Sequence, residues 1–263
     1  MHEILERLGP EAIVLDLGSR SGSFARAATR ACVVRMDLDS STASDFVQAD
    51  ARRMPFRDAS IAAVIANHSL EHVEGLDECL TEIGRVLQPE GQLYVAVPDS
   101  STLSDRVYRW LSHGGGHVNG IEDASAFAER IQKPVPLPLA GIRLLHTSFA
   151  YLNCHGPVRW SRRIYLLGGG AEWTLRLASI AFRHCDRLFG TRWSVYGWAF
   201  YFGKLPPIDP VPSVNVCIRC GAAHVSEWLL ALGIVRRRWL GREFACPECG
   251  ARNAFTDDLP RSF

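Results

Sequence analysis

This chain of 263 residues predicts an α/β fold: a doubly wound parallel sheet, a lid or insertion after its fifth strand, and a small cysteine-rich module at the end. Three observations carry that reading. Short apolar runs recur through the first hundred residues, each closed by an acid, a glycine or an asparagine. A glycine turn after the first run leads into a helical stretch, which is how a doubly wound sheet begins. Two C-x₂-C pairs stand twenty-five residues apart near the end of the chain.

The elements follow in order. Ile13-Val14-Leu15 is an apolar run ending in Asp16-Leu17-Gly18, which suits a strand buried on both faces. Ser19 to Gly22 is the turn, and Ser23 to Ala31 reads as a helix. The free N–H groups and positive end of such a helix favour a carboxylate or phosphate at the turn. Glycine suits a place where backbone approaches a ligand, although many such turns use it for packing alone. Cys32-Val33-Val34 opens a second strand that ends at Asp37, about twenty residues after the first, where a carboxylate can accept ribose hydroxyls. Phe46-Val47-Gln48 is a minimal third strand before Asp50-Ala51, and an acid there could accept the exocyclic amine of an adenine. Ile61 to Ala66 is a fourth strand, closed by Asn67-His68. Leu70 to Val86 is helical after a break near Gly75, with Leu76, Cys79, Leu80, Ile83 and Leu87 on one face. Pro89 and Gly91 stop it, and Gln92 to Val97 is the fifth strand.

Beyond Asp99 the pattern loosens. Residues 99–120 read as a lid, hinged at Gly114-Gly115-Gly116. Asp123 to Gln132 is a helix started by an acidic cap, and Pro134, Pro136 and Pro138 end it. Ile142 to Leu152 and Val195 to Phe202 are the sixth and seventh strands. The insertion between them is rich in arginine and aromatic residues. Within it, Glu172 to Phe189 predicts an amphipathic helix with Trp173, Leu177, Ile180, His184 and Leu188 sharing a face. This insertion can cover an apolar or phosphorylated substrate, lie on a membrane surface, or pack on the sheet or a second subunit.

Several motifs together carry a family resemblance: the acid-glycine turn, Asp37, Met54-Pro55-Phe56, Leu70-Glu71-His72, and Arg85-Val86-Leu87-Gln88-Pro89-Glu90-Gly91. Residues 12–98 closely resemble a class I S-adenosylmethionine-dependent methyltransferase of the methyltransferase-11 type, and the likeness extends loosely to about residue 204. The resemblance implies a Rossmann-like, seven-stranded sheet. It also implies that Asp16, Gly18, Ser19 and Gly22 line the methionine end of the cofactor. Asp37 would hold the ribose with Leu38 against the adenine, Asp50 and Ala51 would read the adenine edge, and Asn67 and His68 would sit beside the transferring methyl group. His72 is the first candidate for a general base, followed by His68 and His117. The chain departs from the family at two points. Arg20 replaces the middle glycine of the turn, where its guanidinium would crowd the cofactor or bind its carboxylate. Ile61-Ala62 stands where Phe-Asp is usual.

Cys217, Cys220, Cys246 and Cys249 have the spacing of a structural zinc ribbon, two knuckles giving four thiolates to one tetrahedral ion. Cys32, Cys79, Cys154 and Cys185 have no pair spacing and read as core residues. The expected partition is a methyltransferase domain over 1–205, with lid and insertion over about 99–195, then a proline-rich linker over 206–213 and a zinc-ribbon module over 214–263. The lack of a basic-then-apolar start or a long apolar stretch leads to a cytoplasmic expectation.

Net charge is +1, but it is unevenly spread: residues 1–98 carry 9 basic and 15 acidic side chains, and residues 99–205 carry 13 and 7. A basic middle segment suggests an anionic substrate or surface, or simply a solvated face. The expected activity is methyl transfer from S-adenosylmethionine to a small-molecule, sugar or lipid-linked acceptor. The alternatives are a nucleic-acid methyltransferase that docks through the ribbon and its Arg236-Arg237-Arg238-Trp239 stretch, and a catalytically silent adaptor.

Overall fold

The computed structural model describes residues 1–19, 22–24, 26–111, 116–146, 172–204, 213–220 and 222–257. Packing divides the chain into two compact units. The first holds Met1–Pro98, His117–Ile142 and Trp198–Ile208; the second holds Asp99–Gly116, Arg143–Gly197 and Asp209–Phe263. This division is not the linear one the sequence suggests, because residues 99–116 and 143–197 group with the cysteine module.

The first unit begins with a short helix α1 (His2–Leu5) and then strand β1 (Ile13–Leu17). Strands β2 (Cys32–Asp37), β3 (Phe46–Gln48) and β4 (Ile61–Asn67) follow, then helix α2 (Leu76–Val86) and strand β5 (Leu87–Pro98). Helix α3 (Leu103–Leu111) belongs to the second unit, and α4 (Ala124–Gln132) returns to the first. Strand β6 (Leu139–His146) contributes its first half to the first unit; after helix α5 (Glu172–Phe189), strand β7 (Val195–Phe202) contributes its second half. The strand order here is β3-β2-β1-β4-β5-β7-β6. The pairs β2/β3, β1/β2, β1/β4 and β4/β5 are all parallel. Order reverses between β1 and β4, the switch point at which such sheets open a crevice beyond the carboxyl ends of their strands.

The chain order follows from burial. Val14, Leu15 and Leu17 of β1, residues 63–66 of β4 and residues 93–97 of β5 are inaccessible to solvent or nearly so, as expected of parallel strands covered on both faces. On α2, Leu76, Cys79, Leu80, Ile83 and Val86 make the buried stripe. Gly84 lets this helix approach the turn after α4, because a Cβ there would lie 2.2 Å from the Pro134 carbonyl oxygen. Asp123 caps α4 by accepting from the Ala126 N–H at 3.0 Å.

The stretch 23–31 corrects the sequence expectation. Among its described residues there is no α-helix, only a 3₁₀ turn over Arg26–Ala28. Thr29 supplies a local reason: its hydroxyl donates to the Leu5 carbonyl and accepts from the Ala31 N–H, drawing the chain into β2. Among the described residues no long helix follows the glycine turn.

In the second unit, Leu144–His146 of β6 pair with β8 (Ser213–Val216), and β8 pairs antiparallel with β9 (Ala223–Val225). Helix α6 (Ser226–Ala231) leads to a three-stranded sheet of β10 (Val235–Arg238), β11 (Gly241–Ala245) and β12 (Arg252–Ala254). Helix α5 has the predicted bounds, and of the predicted face only Ile180 is buried. Leu175, Ser179, Ile180 and Asp186 are buried, while Trp173 and Leu188 are exposed. Asp186 fixes the end of that helix by accepting from the Thr191 hydroxyl and from the Trp193 and Ser194 N–H groups at 2.6–2.9 Å. Arg219 forks the Glu172 carboxylate at 2.6 and 2.9 Å and also donates to the Cys249 carbonyl, joining the start of α5 to a cysteine knuckle. Among the described residues no helix is long and apolar enough to cross a membrane. The Gly114-Gly115 hinge, the end of the predicted sixth strand, Cys154 and the linker 206–212 lie outside the described residues.

Candidate active site

The parallel register brings the ends of β1, β2 and β4 side by side, so Asp16, Gly18, Asp37, Asn67 and His68 share one end of the sheet. Asp16 is fully buried. Its Oδ2 accepts from the Ser23 N–H at 2.8 Å, and its Oδ1 has no hydrogen-bond partner among the described residues. Burial raises the Asp16 pKa, and the Ser23 hydrogen bond opposes that rise. An orphaned carboxylate oxygen at the mouth of a glycine turn suits a cationic amino group.

Gly18 has φ +68°, and a Cβ there would meet the Ser69 Cβ at 2.5 Å. Its N–H donates to the Met36 carbonyl, which pins the turn to β2. The Gly22 N–H closes on the Ser19 carbonyl at 2.6 Å. Arg20 lies outside the described residues.

Asp37 stands at the end of β2, where its Oδ1 accepts from the Asp39 N–H at 3.1 Å. Leu38 beside it is a large apolar side chain that is 70% exposed. Asp50 has an occupant the sequence did not suggest. Arg52 forks it through Nε and Nη2 at 2.7–3.1 Å, and its N–H adds a further bond at 2.9 Å. The Arg52 hydrogen bonds hold the Asp50 carboxyl below its ordinary range. Ala51 follows it in the same loop, which continues into Met54-Pro55-Phe56. Arg85 of α2 anchors that continuation, donating to the Met54 and Phe56 carbonyls and to Glu82 and Asp58.

His68 takes a positive φ of +55°, a strained conformation for a non-glycine residue and one that is enriched at functional sites. The His68 N–H donates to the Ala96 carbonyl at 2.9 Å, and its Nδ1 lies 3.6 Å from Glu71 Oε1. Glu71 is 1% exposed, and its Oε2 has no hydrogen-bond partner among the described residues. The only sequence signal of Glu71 is its place in Leu70-Glu71-His72. Exposed His72 meets His117 edge to face, with ring centroids 4.8 Å apart. The backbone explains this meeting: the Val118 and Asn119 N–H groups donate to the Glu71 carbonyl, and the Asn119 amide to Leu70 and Val73. Glu71, His72 and His117 bring ligand atoms within 4.8 Å of one another, so this trio could hold a metal ion.

A second cluster lies in the cysteine module. The four sulfurs of Cys217, Cys220, Cys246 and Cys249 lie within 4.8 Å of one another. Cys217 and Cys249 approach to 3.5 Å, and Cys220 and Cys246 to 3.7 Å. A tetrahedral zinc with bonds of about 2.3 Å has sulfur–sulfur edges of about 3.8 Å, so this donor set fits zinc. Burial pushes the Cys246 thiol up to about 11. A cation among the sulfurs would reverse that and favour thiolates. The surroundings supply donors that sequence spacing could not reveal: His224 Nε2 lies 3.4 Å from Cys246 Sγ, and the Asn253 amide and Arg219 N–H face Cys217 Sγ at 3.5 and 3.4 Å.

Residues 15–95 match the methyltransferase-11 family, which is described as a methyltransferase domain. Over 143 residues the chain is 28% identical to the malonyl-[acyl-carrier protein] O-methyltransferase of Methylococcus capsulatus, covering 48% of this chain and 50% of that protein. Over 97 residues it is 32% identical to the ubiquinone/menaquinone biosynthesis C-methyltransferase UbiE of Brucella anthropi, covering 34% and 37%. The chain thus spans half or less of the length of these curated relatives. The geranyl diphosphate C-methyltransferase of Streptomyces coelicolor, solved with Mg²⁺, geranyl diphosphate and S-adenosyl-L-homocysteine, shares its fold. The TM-score is 0.51 at 13% identity, over 76% of each chain.

Proposed function

We propose that this chain, whose residues 15–95 are a class I methyltransferase domain, moves the methyl group of S-adenosylmethionine to a small-molecule, sugar or lipid-linked acceptor. The observation that carries this reading is the gathering of Asp16, Gly18, Asp37 and His68 at the strand ends flanking the switch between β1 and β4. S-adenosylmethionine, when bound, would supply a methyl group activated by its sulfonium, with the neutral thioether S-adenosylhomocysteine as the leaving group. The protein's task is then to align the two reactants and to dispose of a proton.

Asp16 offers its free Oδ1 to the amino end of the cofactor, in a turn formed by Gly18, Ser19 and Gly22. Asp37 accepts from the ribose, exposed Leu38 packs on the adenine, and Asp50 and Ala51 border its edge while Arg52 holds the Asp50 loop. Asn67 and His68 stand nearest the transferring methyl. For a hydroxyl acceptor, His72 takes the proton, with His117 against its ring and Glu71 buried beside the pair. The four cysteines would hold a structural zinc through four thiolates, which would supply stability to the module.

The test is incubation of the full chain with methyl-labelled S-adenosylmethionine and fractionated cell extract. The reading expects label in a small-molecule or organic-soluble fraction. It also expects His72→Asn to lower kcat by about 100-fold or more without changing cofactor affinity. Label confined to RNA would replace this reading with the nucleic-acid one. Cofactor binding without transfer to any fraction would favour the silent adaptor.

A further inference from the structure

A cavity of about 1000 Å³ lies within the second unit, between α5 and the β10–β11 hairpin, and the methyl-transfer reading leaves it unused. We propose that this cavity binds the phosphate or diphosphate head of an apolar small molecule. The proposal concerns binding alone and stands or falls independently of methyl transfer.

The cavity wall is cationic. Arg183, Arg187, Arg237, Arg238 and Arg242 line it, against a single lining carboxylate, Asp186. Arg242 is already paired, forking Asp257. Asp186 is engaged by Thr191, Trp193 and Ser194 and also faces Arg183. Arg187, Arg237 and Arg238 have no ion pair among the described residues. In the hairpin register Arg237 stands directly opposite Arg242, whose charge Asp257 already matches, so Arg237 is the cation of the two without an ion pair among the described residues.

Two buried groups in this wall carry polar atoms with no hydrogen-bond partner among the described residues. Arg183 Nε and Nη1 are shielded from solvent and make no hydrogen bond among the described residues. His146 is 2% exposed; its Nδ1 lies 3.2 Å from Ser194 Oγ, and its Nε2 has no hydrogen-bond partner among the described residues. Burial, then the Arg183 charge, holds His146 down to about 3, so its imidazole is neutral. In the tautomer in which the Ser194 hydroxyl donates to Nδ1, the ring proton sits on Nε2 and is available to a ligand oxygen. Buried donors without acceptors are costly, and an anion would satisfy both groups at once.

Charge and shape choose the ligand class. Several guanidiniums around one cavity match a group carrying two or three negative charges, and guanidinium is suited to bidentate contacts with phosphate. A single carboxylate would leave most of that charge unmatched. The volume exceeds a bare phosphate, and Leu177, Ile180, Leu240 and Phe255 supply apolar wall for a tail. Concavity and buried donors favour a compact head group over the continuous backbone of a nucleic acid.

The test is titration calorimetry on the zinc-loaded full chain with inorganic pyrophosphate, inorganic phosphate and decyl phosphate. Pyrophosphate should bind, and decyl phosphate should bind at least tenfold more tightly than inorganic phosphate. Arg183→Gln and the exposed pair Arg237→Ala/Arg238→Ala should each weaken pyrophosphate at least tenfold. Arg57→Ala, an exposed arginine of the first unit, should leave it unchanged. Co-sedimentation with phosphatidic acid vesicles, set against phosphatidylcholine vesicles, separates a bilayer head group from a soluble amphiphile; either source supports the proposal. Equal pyrophosphate affinity in wild type and both arginine variants would overturn it. So would binding of single-stranded RNA without any binding of pyrophosphate, and equal affinity for phosphate and decyl phosphate would remove the apolar tail.

Discussion

Asp16 concentrates the account at the residue scale. A fully buried carboxylate with its pKa raised by burial costs the fold something, and one of its oxygens has no acceptor duty among the described residues. Such a group is expected to be kept for a ligand. Asp16→Asn retains the shape and the Ser23 contact but loses the charge. We expect it to weaken S-adenosylmethionine at least tenfold while leaving the thermal midpoint unchanged or slightly raised, read by titration calorimetry and thermal melting. Asp16, Asp37 and His68 were legible in the sequence because each ends an apolar run, and a strand end is where a parallel sheet presents side chains to a crevice. Glu71 and the Arg52 fork on Asp50 were not legible. A buried acid between two histidines looks like any helix-start acid in one dimension, and a bidentate pair two residues apart depends on the loop's curvature.

Arg85 is decisive at the scale of elements. Its guanidinium ties α2 to the Met54–Asp58 loop through two carbonyls and the Asp58 carboxylate, and Glu82 of the same helix holds it in place. Arg85→Ala should destabilise the protein by about 1–2 kcal/mol and raise the KM for cofactor, since the same loop carries Asp50 and Ala51. The pH dependence has a definite sign. Arg85 holds Glu82 below its ordinary value of 4.5, so this stabilisation is present above that pH and is lost as pH falls through the folded value. The urea-unfolding gap between wild type and Arg85→Ala should therefore be full at pH 7 and narrow below about pH 4.5. The helices explain what the sequence could not tell. On α5 the apolar periodicity pointed to Trp173, Leu177, Ile180, His184 and Leu188; of these Ile180 is buried, and the buried stripe also contains Leu175, Ser179 and Asp186. Asp186 is buried because three donors converge on it, and a hydrophobic pattern cannot register burial achieved by hydrogen bonds. Residues 23–31 had helical composition, yet Thr29 turned the chain instead.

At the scale of the whole molecule the chain combines a cofactor-type sheet with a unit organised around four thiols. The small core of the module, which includes Cys217, Leu229, Phe244 and Phe255, leans on that cluster. Metal removal should show this directly. The protein should carry one zinc per chain, and a strong chelator or Cys246→Ser should release it and collapse the near-ultraviolet dichroism of the module's aromatic residues. Retention of that signal without metal would contradict a zinc-dependent fold. The grouping of residues 99–116 and 143–197 with this module was beyond the reach of the sequence, because it is set by contacts between segments far apart in the chain.

The central claim is that the strand-end crevice of the first unit binds S-adenosylmethionine. Calorimetric titration of the zinc-loaded chain with S-adenosylmethionine, repeated with S-adenosylhomocysteine, tests it most directly. The account predicts binding of both, with Kd on the order of 10 µM or tighter, and a loss of at least tenfold in Asp37→Ala. Absence of heat and of any thermal shift with either compound at about 1 mM would contradict it.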